Sequence, residues 1–470
     1  MRKTLILILI LTLLSVGTFG YAAAQLLPLR DQVQILESTK YGDSRTAEGL
    51  TARFLMDADG ALHWDTKIQL GADPEITTDY TFTLPPQEED HRREKDRNVS
   101  LSATIWGTPE LEAYDYDAGE KVPDAYVDMI EELEPGQSTS RTIYMNEYRE
   151  FFDIQGRIQF PNNEEITLYA DPEETGTVRS QLMERFEQEF RIKIPDSLKV
   201  RLGVTYSDRY YNYIYNYEPV QHDGAYSLDV KYTFSDHDCW FTFNTSHANY
   251  DVPRLNTTQF PDGYGIWCIP YDENGVNPEL NLVHKLDPAV KILDLRTSTD
   301  GEKILLSTMD KGTILLTVLD ADTAELLQQL TLTEAPGKEG NKEWCFYEAD
   351  GCIVLAMIDT VTREKELILF TENNQGQYEL LWNLPLNDDN SPVVYFHDRA
   401  ERNYEYSYDY WPVMAWNGKK LAFAMAYQPS SFYVAVYEQT GLTYHGHYET
   451  SLQNNFCAPA AFDPLALTWN

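Results

Sequence analysis

Positively charged residues are scarce in this chain of 470 residues, in which 37 lysines and arginines stand against 75 aspartates and glutamates. The formal charge of −38 argues against a nucleic acid as partner, because phosphate-binding surfaces need clustered Lys and Arg. Glycine and proline number only 25 and 23, too few for a collagen-like or low-complexity chain. We interpret the excess acid as a solvated surface that keeps the protein soluble.

The sequence also lacks the common catalytic signatures. It contains no Gly-x-x-x-x-Gly-Lys-Ser/Thr loop, no Gly-x-Gly-x-x-Gly, no Gly-x-Ser-x-Gly and no His-Glu-x-x-His. With 75 acidic residues, many pairs could adopt the separation that glycosidases use, so the sequence singles out no catalytic pair. We therefore predict a protein that is not an enzyme, with no catalytic residues and no cofactor.

Cysteine is also rare. The chain has five, and an odd number cannot close completely into intramolecular disulfides. None belongs to a Cys-x-x-Cys pair, and their apolar and aromatic neighbours are typical of small buried side chains. A bridge between Cys239 and Cys268, which we expect on neighbouring strands, is left open.

The N-terminus has the pattern of a secretory signal or a membrane anchor. Arg2 and Lys3 precede a stretch from Thr4 to Leu29 that contains no charged residue, a pattern typical of a secretory signal or a membrane anchor. The alanines at 22 and 24 favour cleavage before residue 25, whereas the length of the stretch favours a retained anchor. We predict that residues 1–24 are a signal peptide or anchor and that the protein is extracytoplasmic, secreted or tethered to the membrane only by this segment.

The C-terminal half contains an internal repeat. Three segments have a polar residue followed by glycine at Asp300-Gly301, Asp350-Gly351 and Asn417-Gly418, which are strong hairpin signals. An apolar strand precedes each glycine, and three more strands follow it at similar spacings. A fourth copy covers residues 229–286. Four short antiparallel strands in roughly 40 residues are the layout of a β-propeller blade.

The segment SerThrAspGlyGluLysIle (298–304) resembles the Ser-x-Asp-Gly-x-Lys-Ile turn of propeller blades of the WD40, YVTN and TolB-like kinds. The resemblance covers only the C-terminal half and implies a fold, not an activity. We therefore predict an all-β protein: a β-propeller of about six to eight four-stranded blades, preceded by an N-terminal signal or anchor helix.

The repeat is harder to recognise in residues 30–219. Strands with period-two alternation are interrupted by insertions, and short helices are predicted within 123–135 and 181–188. Residues 30–219 are therefore either irregular blades or a separate β-domain before the propeller blades of residues 220–470. We favour a single propeller.

Nine histidines are scattered along the chain, and two groups of residues that include histidine could supply metal ligands. His445 and His447 alternate on one predicted strand with Glu449 on the same side, but such pairs also occur on solvated strands. The run Asp236-His237-Asp238 contains metal-ligating residue types whose side chains alternate between faces. We interpret the first group as a solvated strand, regard the second as a weak candidate, and predict no metal site.

Tyrosine is abundant, with 32 residues and two alternating runs. Tyr side chains suit stacking on sugars and protein interfaces, although they also pack between sheets. The first run is Tyr211, Tyr213, Tyr215 and Tyr217. The second lies in a long stretch between repeats, where binding residues tend to lie, and it supplies the predicted ligand-binding site: Tyr404, Tyr406, Tyr408, Tyr410 and Trp411.

These observations predict an extracytoplasmic binding or scaffold protein that recognises a protein or a glycan without catalysis. Two alternatives stay open. One is a carbohydrate-active hydrolase with a propeller fold, and the other is an extracytoplasmic sensor domain of a membrane system.

Overall fold

The structure of the protein is a computed structural model. It describes the following residues: 2–30, 35–58, 62–82, 98–105, 111, 122, 124–131, 133–162, 164–168, 176–207, 212–220, 225–244, 260–334, 342–359, 362, 364–386, 412–428, 431–450 and 466–470.

Strands dominate the described residues. The three α-helices among them are α1 (Arg2–Arg30), α2 (Asp124–Ile130) and α3 (Val178–Glu189). The strands of the first half are β1 (Ile35–Gly42), β2 (Leu50–Ala58), β3 (Leu62–Gln69), β4 (Glu75–Phe82), β5 (Asn98–Thr104), β6 (Ser138–Tyr144), β7 (Asp153–Gln159), β8 (Glu165–Leu168), β9 (Lys199–Ser207), β10 (Asn212–Pro219) and β11 (Ala225–Ser227).

The strands of the second half follow one another at short intervals. They are β12 (Asp229–Phe234), β13 (Asp238–Asn244), β14 (Gly265–Asp272), β15 (Gly275–Val276), β16 (Asn281–Lys285), β17 (Lys291–Thr297), β18 (Lys303–Asp310), β19 (Thr313–Asp320), β20 (Leu326–Glu334), β21 (Lys342–Ala349), β22 (Cys352–Asp359), β23 (Lys365–Glu372), β24 (Tyr378–Leu386), β25 (Val413–Trp416), β26 (Leu421–Gln428), β27 (Ser431–Glu438), β28 (Gly441–Thr450) and β29 (Ala466–Trp469).

The chain divides into two compact units. The first comprises Met1–Arg93 and Lys338–Asn470, and the second comprises Glu94–Gly337. In the first unit the sheets have the orders β29-β2-β3-β4, β21-β22-β23-β24 and β1-β28-β27-β26-β25. In the second they are β11-β5-β7-β8, β10-β9-β6, β17-β18-β19-β20 and β12-β13-β14-β15, with β16 also paired to β14. The boundaries inferred from sequence, at residues 24, 30 and 219, stay a prediction.

Four of these sheets share a structural repeat that the sequence predicted. Each has four antiparallel strands paired in chain order: β12-β13-β14-β16, with β15 as an extra strand, then β17–β20, β21–β24 and β25–β28. In the last three sheets the fourth strand skips one residue, Leu327, Leu381 or Thr443, opposite the second half of the third strand. An equivalent β-bulge in three sheets marks them as copies of one unit, because a bulge changes strand twist at a fixed position. The predicted fold class, all-β with four-stranded propeller blades, is confirmed.

The inner strands of these sheets are apolar on both faces. In β18, every residue from Lys303 to Met309 is buried, and β22 has the same character. A strand buried on both faces reads as a continuous apolar run rather than an alternation. Packing on both sides therefore explains the strand composition in the C-terminal half.

Local hydrogen bonds explain why the predicted turn at 298–304 has this sequence. The hydroxyl of Ser298 donates to Asp300 Oδ1 at 2.5 Å, and the amide of Lys303 donates to Ser298 Oγ at 3.0 Å. The amide of Glu302 donates to Asp300 Oδ1 at 3.1 Å. Gly301 has φ +79°, which a side chain would disfavour. Ser, Asp and Gly therefore each have a specific role in the turn.

The first and the last described strands, β1 and β29, are both paired within the first unit. Strand β1 pairs with β28, and β29 pairs with β2. Buried side chains reinforce these pairings: Tyr444 donates its hydroxyl proton to Glu37 Oε1 at 2.9 Å and lies 2.6 Å from the Tyr448 hydroxyl. At the other end, Trp469 Nε1 donates to the carbonyl of Ala415 at 3.2 Å. Strands β1 and β29 are therefore integral parts of these sheets.

The helices agree with the sequence in position. Helices α2 and α3 fall where short helices were predicted, and α3 begins at the N-cap Thr177, whose hydroxyl accepts from the Ser180 amide. The N-terminal helix α1 is present, and its described large apolar side chains are exposed. Within the part of the chain that the structure describes, no helix has the length and apolar character needed to cross a membrane. Whether α1 serves as an export signal stays a prediction.

The four described cysteines are free, including the pair left open above. In the β13–β14 ladder, Cys239 lies opposite Ile269, and Trp240 lies opposite Cys268. Because paired residues share a face and successive residues alternate, the two thiols point to opposite faces of the sheet. Although Cys239 and Cys268 lie on neighbouring strands, their thiols point away from each other, so they do not form a disulfide.

Candidate functional site

The predicted ligand-binding residues Tyr404, Tyr406, Tyr408, Tyr410 and Trp411 lie outside the described residues, so that site stays a prediction. Elsewhere, the structure provides a different candidate in the second unit.

The described tyrosines of the first run pack against other side chains, which is one of the two roles that the sequence allows. Tyr213, Tyr215 and Tyr217 are partly buried against the core of the second unit, and Tyr211 lies outside the described residues. The ring of Tyr215 meets Tyr126 of α2 edge to face, with centroids 4.9 Å apart. Partial burial and this contact indicate that Tyr213, Tyr215 and Tyr217 pack against the core.

The candidate site is a pair of adjoining cavities at the turns that end three sheet hairpins. Their volumes are about 600 and about 590 Å³, and they share four lining residues. The β7–β8, β12–β13 and β14–β15 turns form the walls. We call the combined site the acidic cleft, because its lining includes Glu164, Asp236, Asp238, Asp272 and Glu273.

The β14–β15 turn is shaped by its own aspartate. Asp272 Oδ1 accepts from the amides of Asn274 at 2.7 Å and Gly275 at 3.1 Å. Asp272 Oδ2 accepts from the Asn274 side-chain amide at 3.2 Å. Asp, Asn and Gly are typical turn residues, and the sequence AspGluAsnGly at 272–275 is rich in them. The turn therefore holds an aspartate at the rim of the cleft.

Hydrogen bonds join the β7–β8 turn to the β14–β15 turn. Asn162 Nδ2 donates to the carbonyl of Asp272 at 3.0 Å, and the amide of Val276 donates to Glu164 Oε2 at 2.9 Å. Asn162 Oδ1 also accepts from the Glu164 amide at 3.0 Å. These bonds fix two walls relative to each other, so the cleft is preformed.

An aromatic cluster lies beneath the turns. The rings of Phe160, Phe234 and Tyr271 contact one another with centroids 5.5 to 6.3 Å apart. The Tyr271 hydroxyl donates to the carbonyl of Ser235 at 2.6 Å, which ties the β12–β13 turn to the same cluster. Apolar packing below and polar groups above give the cleft a rigid floor and a hydrophilic rim.

The rim carries negative charge. Asp236, Asp272 and Glu273 are exposed, and the imidazole of His237 is exposed among them. Among the described lining residues there is no lysine and no arginine. Such a surface attracts cationic groups and offers many hydrogen-bond acceptors to hydroxyl or ammonium donors.

The pKa values of two carboxyl groups of the cleft are shifted in opposite directions. Burial raises the pKa of Asp238, an effect that nearby His237 and a hydrogen bond with Cys268 only partly offset. The pKa of Asp272 is lowered, because backbone amides of its turn donate to the carboxylate. A raised and a lowered carboxyl pKa in one cleft is the arrangement that acid–base enzymes use.

Other features of the cleft oppose catalysis. Asp272 already accepts three hydrogen bonds within its turn, which leaves it a poor base or nucleophile. Burial raises the pKa of the Cys268 thiol to about 12 and that of Cys239 well above the ordinary value. Both thiols are therefore protonated at neutral pH, and thiolate chemistry is not favoured.

The prediction that His445 and His447 lie on a solvated strand is wrong for His447. That side chain is only 8% exposed, because β1 and β27 flank it on both sides. Among the described residues, no three His, Cys, Asp or Glu side chains come together in a group that could hold a metal ion.

Part of the cleft is visible in the sequence. The run Asp236-His237-Asp238 contains candidate ligating residues, and the structure places Asp236 and His237 at the rim, with Asp238 in the adjoining cavity. The contributions of Asn162 and Glu164 were missed, since they reach the site only through pairing of distant hairpins. Their only local signal is a polar turn between β7 and β8.

The protein has only remote likenesses among known proteins. No known protein family and no curated protein matches the sequence. A protein provisionally assigned as a 6-phosphogluconolactonase of Bacteroides fragilis NCTC 9343 shares 9% identity over 90% of this chain and 98% of that chain, with a TM-score of 0.31.

Two further solved structures are similarly remote. A protein with the same provisional assignment from Bacteroides uniformis ATCC 8492 shares 11% identity over 78% of this chain and 98% of that chain, with a TM-score of 0.28. The Dos1 propeller shares 12% identity over 47% of this chain and 48% of that chain, with a TM-score of 0.22. Likenesses this distant carry no information about activity.

Proposed function

We propose that the protein is an extracytoplasmic binding protein of the β-propeller kind, which recognises a protein ligand at the acidic cleft without catalysis. The ligand would present a segment rich in lysine or arginine. The observation that supports this proposal is a preformed cleft with exposed carboxylates at its rim. Among its described lining residues there is no lysine or arginine to balance their charge.

Charge complementarity supports a basic partner over a neutral one. Oppositely charged surfaces accelerate association and suppress binding of wrong partners. Since exposed charges are screened over about 8 Å at physiological ionic strength, binding should weaken as salt is added. A glycan would instead use the carboxylates and the amides of Asn162 and Asn274 as hydrogen-bond groups, and its affinity should depend little on salt.

The test combines two arrays. The purified chain is applied to peptides that vary in lysine and arginine content and to a glycan array, and each hit is then titrated at low and high salt. Salt-sensitive binding of basic peptides supports the proposal. Binding confined to glycans, or no preference for basic peptides, would contradict it.

A double substitution, Asp236→Asn with Glu273→Gln, locates the binding. It removes two exposed rim charges while preserving side-chain size, so we expect weaker peptide binding without loss of folding. The matched control, Glu131→Gln with Glu187→Gln, removes two exposed charges of the same unit that do not line the cleft. Equal effects of the two double variants would show that net charge, and not the cleft, controls binding.

A carbohydrate-active hydrolase is the second candidate, and the opposed pKa shifts of Asp238 and Asp272 favour it. In that function Asp238 would be the general acid. The glycan hits should then be cleaved, and Asp238→Asn should abolish turnover while leaving binding in place. Intact glycans after long incubation would exclude this candidate.

The extracytoplasmic location forms part of the proposal and rests on the basic, then apolar, N-terminus. Fractionation of cells that express the full chain, followed by N-terminal sequencing, separates the outcomes. A mature chain that begins near residue 25 indicates a cleaved signal, and an intact chain in the membrane fraction indicates an anchor. An intact chain in the cytoplasm would contradict the proposed location.

A further inference from the structure

Two histidines lie side by side on one face of β28, in the first unit. His447 pairs with Tyr433 of β27 and with Ser38 of β1, and His445 occupies the next position on the same face. Strands on both sides of β28 therefore hold the backbone of both residues. The pair does not depend on a loop for its position.

Neighbouring side chains orient both imidazole rings. The ring of Tyr433 stacks on His447 with centroids 4.4 Å apart and planes 20° apart. The same tyrosine ring lies 5.5 Å from the ring of His445. Rings held by packing are preorganised, so a ligand that binds both pays little to order them.

The carboxylate of Glu449 lies beside His447 and favours a proton on its Nδ1 nitrogen. Its Oε1 lies 3.3 Å from His447 Nδ1, a distance at which the Nδ1–H can interact with it. A neutral imidazole has one donor nitrogen and one acceptor, so Nε2 of His447 then keeps its lone pair. Carboxylates that hold the outer nitrogen of a histidine in this way are typical supports of metal-binding histidines.

The inner nitrogens of both histidines have unmet hydrogen-bonding capacity. Among the described residues, Nε2 of His445 and Nε2 of His447 are buried and have no hydrogen-bond partner. Burial of an unpaired polar atom is costly, and buried polar groups in native proteins are nearly always satisfied. Two such atoms on one face indicate a bound species that accepts both lone pairs.

We propose that His445 and His447 bind one divalent transition-metal ion through their Nε2 atoms, with Glu449 as a positioning residue. Imidazole nitrogen suits Zn²⁺, Cu²⁺ and Ni²⁺, whereas Mg²⁺ and Ca²⁺ prefer oxygen ligands. Two protein nitrogens leave positions for water or for donor atoms of a bound molecule. This site is independent of the acidic cleft, and it departs from the expectation that the chain holds no metal.

One positive charge lies close to the two histidines. Lys40, exposed on β1, lies near enough to interact with both rings and opposes a second cation. The site should therefore bind more tightly once that lysine is neutralised.

The experiment is a titration of the purified, metal-stripped full chain with Cu²⁺ and with Zn²⁺. We expect one saturable equivalent per chain, and the Cu²⁺ electron paramagnetic resonance spectrum should show two nitrogen ligands. His445→Phe and His447→Phe keep a planar ring for packing and should each abolish this equivalent. Glu449→Gln should weaken binding by about tenfold, and Lys40→Met should strengthen it.

His284→Phe is the matched control, because it makes the same substitution at a partly buried histidine of the other unit that lines neither cavity of the acidic cleft. Circular dichroism of each variant shows whether it has folded, and Lys40→Met and Glu449→Gln, whose side chains are exposed, provide readouts that do not need the core to change. No saturable equivalent in the wild type would overturn the proposal. Metal binding that survives both phenylalanine variants of β28, or that is lost in His284→Phe, would do the same.

Discussion

Asn244 offers a direct test of how neighbouring blades pack. Its side chain is 4% exposed and makes three hydrogen bonds. Nδ2 donates to Asp229 Oδ2 at 2.8 Å and to the carbonyl of Ile292 at 2.7 Å, while Oδ1 accepts from the amide of Ile292 at 2.7 Å. One side chain thus satisfies the backbone of β17 in the adjacent sheet of the same unit.

The substitution Asn244→Ala removes these bonds and leaves both backbone groups of Ile292 without a partner in a buried position. A net hydrogen bond contributes about 1 kcal/mol, and an unsatisfied buried group costs more, so the loss in free energy of unfolding should be about 3 kcal/mol. Such a change lies near the top of the usual range for single substitutions.

Urea denaturation followed by tryptophan fluorescence measures this loss, since Trp240 and Trp267 are buried in the same unit. Asn277→Ala, at an exposed position, is the control and should change the free energy by less than about 0.5 kcal/mol. If Asn244→Ala destabilises no more than the control, the described contact between the two sheets does not contribute to stability in solution.

Three further predictions follow from described contacts. Tyr444→Phe removes the hydroxyl that bonds Glu37, so β1 (Ile35–Gly42) should lose protection in hydrogen–deuterium exchange while β26 keeps it; unchanged protection of β1 would contradict the inferred role of this bond. Because the pKa of Asp238 is raised in the fold, its contribution to stability is present below the unfolded value near 3.8 and is lost as pH rises through the folded value. Asp238→Asn should therefore gain stability relative to wild type as pH rises from 4 to 7 in thermal unfolding, and a constant difference would refute the shift. Gly301→Ala, at φ +79°, should cost about 1 kcal/mol in thermal unfolding, whereas a neutral effect would show that the turn does not need a left-handed residue.

The repeat and its turns could be predicted because their determinants are local. In the segment 298–304, Ser298, Asp300 and Gly301 are all within six residues of the groups they bond. A run of apolar residues likewise predicts a buried strand, even when the neighbouring strands are not known. The bulge residues, such as Leu327 and Leu381, carry no local signal, because a bulge is defined by the pairing with another strand.

The acidic cleft could be predicted only in part, for the same reason. The turn at Asp272 is visible in the sequence, but its contact with Asn162 joins residues 110 positions apart. The burial of His447 was likewise hidden, because its cover includes β1, which comes from the opposite end of the chain. Period-two alternation predicts which side chains share a face but not what covers that face.

The most direct test of the proposed function is hydrogen–deuterium exchange of the full chain with and without the tightest-binding basic peptide. Recognition at the acidic cleft predicts slower exchange at 234–238 and 271–277, and no such change for the Asp236→Asn, Glu273→Gln variant. Protection confined to other segments, including 404–411, would show that the ligand binds elsewhere and would contradict the assignment of the cleft.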